Sequence, residues 1–245
     1  MWIVLLLAGV WAGAQNALAG GGSFVTLPTL ILSGLDARAA NITSTIALFP
    51  GQVTTGLAGR RLVAGAERLS FRALLVISLC GGVLGALLLL ATPASFFARL
   101  VPWLVLFATA VFAWGSFLRK APAEGAGLGP LRAGAAQFLI AIYGGYFGGG
   151  IGFLMLAALT IAGQPVRAAA ATKNVLAAVM NASAVAIFVF SRDVRWLSAV
   201  VLGAGAIAGG LLGAWLLRRV DETALRIGVV TLGVALTVGL FLHAL

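Results

Sequence analysis

Lys173 is the residue around which chemistry can be built. It lies six positions after Arg167 in VRAAAATKNVLAAV, and none of the six acidic residues is an obvious partner for it. A cation inside a bilayer is costly unless it faces a partner or a watery cavity. Two readings follow: a cationic ligand for an anionic substrate, or a side chain near the membrane surface that snorkels to the headgroups. Two glycine runs bear on the choice. Gly20, Gly21 and Gly22 interrupt ALAGGGSFVTLP, and Gly148, Gly149, Gly150 and Gly152 interrupt YFGGGIGF. Glycine costs about 1 kcal/mol against alanine in a helix interior, so each run predicts a broken helix. Within lipid such a break is tolerated only where the freed backbone faces protein or a water-filled cavity. A half-helix restarting after Gly22 or Gly152 aims unpaired N–H groups and a positive dipole end inward, which suits an oxyanion. Ser23, Thr26, Asn41, Thr43, Ser44, Thr172 and Asn174 are placed to add neutral donors. The competing reading of the glycines is close helix packing, and for Gly81-Gly82 and Gly209-Gly210 it is the preferred one.

Other chemistry finds little support. Cys80 is a lone cysteine in an apolar run, and His243 stands two residues from the last position. Neither belongs to a metal-ligand or disulfide pattern. Ser23 in GGGSF resembles a nucleophile elbow, but His243 is the only histidine that could serve as its base. The expectation is a non-enzyme without metal or cofactor.

The elements that must position these residues lie in a membrane. Hydrophobic residues make up 62% of the chain and charged ones 9%, against roughly 25% charged in soluble domains. Apolar runs and their breaks predict an all-α integral membrane protein of about eight transmembrane segments, with a glycine-broken first helix in each of two homologous halves. The first half covers residues 1–118, a basic linker 119–132 and the second half 133–245. The net charge of +10 invites a nucleic-acid reading. The arginines, however, fall between apolar runs, where they anchor helices and set orientation.

The halves can be aligned. At an offset of 129, Gly20, Gly21, Phe24, Leu27, Arg38 and Thr43 meet identical residues, Arg38 meeting Arg167. Gln52 meets Asn181 at the same offset, as interhelical glue or as pathway lining. Arg38 and Arg167 are candidate gate or vestibule charges, or else interfacial anchors. If every segment crosses once, nine basic residues (Arg60, Arg61, Arg68, Arg72, Arg119, Lys120, Arg132, Arg192 and Arg195) share a side with both termini. That bias predicts cytoplasmic termini, and the expected location is the cell membrane, as a multi-pass protein of the bacterial inner membrane. Re-entrant breaks would require a recount. Pro28 is expected to mark a helix restart and Pro165 a turn.

These residues resemble the TauE/SafE family of sulfite exporters and related small permeases. GGGSFVTLPTLI with LDARAANITST carries the likeness in the first half, and FGGGIGFLMLAALTIAGQPVRAAAATKN in the second. The resemblance implies transport of a small organic or sulfur-containing anion such as sulfite or a sulfonate. Ser44 stands where the second half has Lys173, so one half alone supplies the cation. The expected function is secondary transport, with export favoured by an inside-negative potential. The rivals are an anion channel and a non-transporting membrane assembly subunit. The expected partners are a small anionic substrate and the lipid bilayer, and not nucleic acid; association into a homo-oligomer is left open.

Overall fold

The computed structural model describes residues 1–18, 21–66, 69–114, 117, 129–216 and 222–244. Among these the chain is all-helical apart from an isolated bridge between Ala66 and Leu69. The helices are α1 (Trp2–Leu18), α2 (Ser23–Leu32), α3 (Ala37–Gly59), α4 (Phe71–Ala91), α5 (Ala94–Ala113), α6 (Pro130–Tyr146), α7 (Ile151–Ile161), α8 (Val166–Phe188), α9 (Trp196–Leu216) and α10 (Glu222–Ala244), with a short 3-10 turn at Arg60–Leu62. Local chemistry sets several starts. The Asp36 carboxylate accepts from the Arg38 and Ala39 N–H groups, both at 3.0 Å, and the Ser70 hydroxyl from Ala73 N–H at 3.2 Å, which satisfies first-turn donors of α3 and α4. Proline opens α6, where its missing N–H costs nothing.

Among the described residues, four helices are long and apolar enough to cross a membrane: Phe71–Ala91, Ala94–Val111, Ala168–Phe188 and Trp196–Gly213. Large apolar side chains such as Trp11, Leu79, Trp103, Phe107, Leu139 and Leu211 face outward. An exterior of that kind suits lipid. This is a multi-pass membrane protein.

Contacts between elements define two ends. At one, the Arg38 guanidinium meets the Thr92 carbonyl at 2.9 Å and the Asp193 carboxylate at 2.9 Å. Met1, Trp2, Ser33, Leu35 and Val194 line one crevice there. At the other, the Gln164 amide donates to the Ala64 and Gly65 carbonyls at 2.8 and 2.9 Å. We call these the Arg38 end and the Arg60 end.

The glycine-broken segments are hairpins. α1 leaves the Arg38 end and α2 returns to it, with Gly22 lying against Ala12 and Asn16 of α1. α6 leaves the Arg60 end and α7 returns to it, delivering Gln164 to Ala64. α3, α4, α5, α8, α9 and α10 run from end to end. Among the described residues, six helices thus run from end to end and the two glycine-broken segments are hairpins entering from opposite ends, the re-entrant alternative to single crossings. The count of charges that placed the termini on the arginine-rich side loses its premise. Pro28 is also displaced from its expected role: α2 restarts at Ser23 and holds Pro28 in its interior.

α1 packs most extensively on α9, and α4 on α6; α3 crosses α8 and α9, α4 crosses α8, and α5 crosses α10. Glycine permits the closest of these. A Cβ on Gly209 would overlap the Val10 carbonyl oxygen, and one on Gly85 that of Ile142. The packing reading of Gly81-Gly82 and Gly209-Gly210 agrees with Gly81, Gly82 and Gly209; Gly210 approaches its neighbour loosely. Each returning hairpin arm anchors a separate core. Phe24, Leu27 and Leu30 of α2 pack with Phe97, Phe147 and Phe188. Ile151, Met155 and Leu159 of α7 pack with Leu74, Leu176 and Met180.

Candidate functional site

The two breaks are built differently. In the first, α1 supplies the stitching from its last turns. Gln15 Nε2 donates to the Gly21 carbonyl at 3.1 Å while its Oε1 accepts from Trp11 Nε1 at 3.1 Å. Asn16 Oδ1 accepts from the Gly22 N–H at 2.8 Å. In the second, Gly150 adopts a left-handed conformation, φ 74°, and α7 begins at Ile151 with no capping side chain. This start precedes the expected restart after Gly152. The carbonyl of Tyr146, where α6 ends, accepts from Asn41 Nδ2 at 3.1 Å. One break thus has its new N-terminus tied to a side chain, and the other leaves it open.

Both breaks meet in one cavity of about 40 Å³. Asn16 of α1, Gly21 and Ser23 of the first break, Gln52 and Thr55 of α3, Gly148, Ile151 and Gly152 of the second break, and Lys173, Asn174 and Ala177 of α8 line it. A water needs roughly 10–15 Å³ by this measure, so the cavity holds about three water-sized groups.

The polar lining is biased toward donors. Lys173 contributes an ammonium, and no carboxylate among the described residues pairs with it. Asn16 and Gln52 each have the amide oxygen engaged elsewhere, Asn16 Oδ1 by Gly22 N–H and Gln52 Oε1 by Asn181 Nδ2. Their NH₂ groups are what remains to face the cavity. Ser23 adds a hydroxyl, and the start of α7 adds backbone N–H groups and the positive end of its dipole; the Thr55 hydroxyl is spent on the Gln52 carbonyl at 2.9 Å. Such a cavity favours an anion.

Five of the residues singled out from sequence meet here: Gly21, Ser23, Gly152, Lys173 and Asn174. Others are drawn into structural tasks. The Thr26 and Ser44 hydroxyls hydrogen-bond to each other and tie α2 to α3. The Thr43 hydroxyl accepts from Arg195 N–H at 3.1 Å, and that of Thr172 from Ala64 N–H at 3.0 Å, each holding a loop. Gly22 packs on α1, Gly149 on the Phe147 ring and Gly150 on Ala108. Arg38 is held in its ion pair away from the cavity. Gly20 and the Arg167 side chain lie outside the described residues. Asn16 and Thr55 were not among the residues singled out as ligands, nor was Gln52 assigned that role alone. The signal was present: each is a polar residue in a segment meant for lipid.

A lipid-faced helical bundle with two broken hairpins meeting at a cation-bearing cavity defines a membrane transporter. The chain belongs to the sulfite exporter TauE/SafE family, whose family model matches residues 5–240. It is 29% identical over 241 residues to a "Probable membrane transporter protein" of Haemophilus influenzae, covering 96% of this chain and 92% of that one. It is 29% identical over 227 residues to the "Probable membrane transporter protein ORF9" of a Sinorhizobium species, covering 86% and 80%. With the "Probable membrane transporter protein YfcA" of Escherichia coli K12 it shares 24% over 226 residues, covering 91% and 83%. No solved structure matches the chain.

Proposed function

We propose that the chain is a secondary carrier for a small oxyanion, of the size of sulfite or a short sulfonate, working in the direction of export. One observation carries this reading: the polar groups of the cavity present an ammonium, amide NH₂ groups and a helix N-terminus, and no carboxylate lines it. A volume of about 40 Å³ suits an anion of three or four oxygens better than a bulky organic one. The family's description as sulfite exporters agrees with that chemistry.

The carrier is built from two inverted repeats, α1–α5 and α6–α10. The main contacts map onto one another when the halves are exchanged: α1 on α9 with α6 on α4, α3 on α9 with α8 on α4, α2 on α3 with α7 on α8. Hairpins entering from opposite ends are what such inversion produces.

The hairpins also reset the orientation. Arg60, Arg61, Arg72, Arg132, Arg167 and Arg226 stand at the Arg60 end. Arg68, Arg119, Lys120, Arg218 and Arg219 lie outside the described residues. Arg38, Arg99, Arg192 and Arg195 belong to the other. The six cations at the first against four at the second favour a cytoplasmic Arg60 end, with both termini across the membrane from it. An inside-negative potential then drives an anion outward by about 2.3 kcal/mol per charge per 100 mV.

The test is thermal unfolding of the detergent-purified protein with sulfite, sulfate, thiosulfate, short sulfonates, carboxylates and chloride. A selective rise in melting temperature for one anion class, lost in Lys173→Ala with the unliganded melting point kept, supports the proposal. The absence of a shift with every anion, in protein that melts cooperatively, sinks it.

A further inference from the structure

The cavity is open on one side of a symmetric frame, and the other side is latched. At the repeat offset of 129, Lys173, Gln52, Ala177 and Thr55 correspond to Ser44, Asn181, Leu48 and Ala184. The first four line the cavity and are partly accessible. Their mates are closed off, at 2%, 3%, 2% and 0% exposure. Gln52 and Thr55 lie past the middle of α3, and Lys173 and Asn174 before the middle of α8, so the open side is toward the Arg60 end.

A continuous network seals the Arg38 end. The Arg38 guanidinium grips Asp193, in the α8–α9 loop, and the carbonyl of Thr92, in the α4–α5 turn. The Thr92 hydroxyl accepts from Tyr146 Oη at 3.4 Å. The Tyr146 carbonyl, at the last residue before the second break, accepts from Asn41 on the same helix as Arg38. The network therefore links the mouth of that end to the backbone that shapes the site. With the offset taken as 129 or 128, Asp193 corresponds to Ala64 or Gly65.

We propose that Arg38 and Asp193 form the gate of the Arg38 end, and that this structure is the carrier's state open toward the Arg60 end. The proposal rests on the carrier reading above. In the opposite state the mates of the cavity residues become accessible, and the Arg38–Asp193 pair must part for that to happen.

The experiment reads accessibility and needs no substrate. In a Cys80→Ser background, which removes the exposed native thiol, Thr55→Cys and Ser44→Cys are treated with a membrane-impermeant maleimide in vesicles of either orientation. Thr55→Cys is expected to react from one face, and Ser44→Cys to be protected. Adding Asp193→Asn should make Ser44→Cys react severalfold faster, from the opposite face. Adding Arg38→Asp together with Asp193→Arg should restore protection by rebuilding the pair with its charges exchanged. Rapid labelling of Ser44→Cys in the otherwise unaltered gate overturns the proposal. So does unchanged protection with Asp193→Asn in folded protein. Should Asp193→Asn fail to fold, the exchanged pair decides: restored protection supports the gate, and free labelling overturns it. The anion panel can fail while the gate result stands, and the reverse, so the two readings are separable.

Discussion

Gln52 and Asn181, 129 positions apart, accept and donate across the contact between α3 and α8. In the proposed repeat arrangement they are equivalent positions, and equivalent positions touch only where a two-fold axis passes between them. The same bond occupies the Gln52 oxygen and leaves its NH₂ for the cavity. Asn181→Asp should therefore weaken anion binding although position 181 does not line the site: the new carboxylate takes the Gln52 NH₂ and turns the amide oxygen inward. Loss of a hydrogen bond to a charged group costs about 1.5–3 kcal/mol, or roughly tenfold to a hundredfold in Kd. Calorimetric titration of the responsive anion checks this, and unchanged affinity would contradict the assigned donor direction.

Lys173 has no carboxylate partner among the described residues. Lys173→Met should keep or raise the unliganded melting temperature, because an uncompensated cation is removed from a poorly hydrated place. It should also abolish anion-dependent stabilisation. A protein that melts lower without ligand would mean that the ammonium is held by a structural partner.

Residues inside and outside the cavity should separate by assay. Thr172→Val breaks the bond to Ala64 N–H and should cost about 1 kcal/mol of stability with the anion Kd kept. Ser23→Ala touches the cavity and should raise Kd with little effect on the unliganded melting temperature. Paired thermal and binding measurements on both variants decide.

Close crossings should tolerate no added methyl group. Gly85→Ala and Gly209→Ala drive a Cβ into backbone carbonyls and should destabilise by about 1–3 kcal/mol. Gly239→Ala meets nothing within 4 Å and should melt close to the parent protein.

Termini that lie across the membrane from the Arg60 end predict a simple reporter pattern. Alkaline phosphatase fused after Leu245 should be active and green fluorescent protein there dark. The opposite pattern would return the termini to the cytoplasm and refute the recount of charges.

The apolar composition and the two glycine runs by themselves determined a helical membrane protein with two broken segments, because no polar backbone can be left exposed to lipid and no run of glycines sustains a helix there. That Lys173, Asn174, Gly21, Ser23 and Gly152 line one cavity agrees with the same reasoning: each is an expensive choice in a membrane. Direction was not legible. That each broken segment turns back depends on Gly22 lying against Ala12 and on Gln164 reaching Ala64, contacts between residues 10 and 100 positions apart. Nor could sequence tell which polar residues face the cavity. Thr26, Ser44, Thr43 and Thr172 differ from Ser23 only in what the packed helices place opposite them. A hydroxyl or amide has the same chemistry wherever it stands; tertiary structure decides whether its partner is a neighbouring backbone group or a ligand.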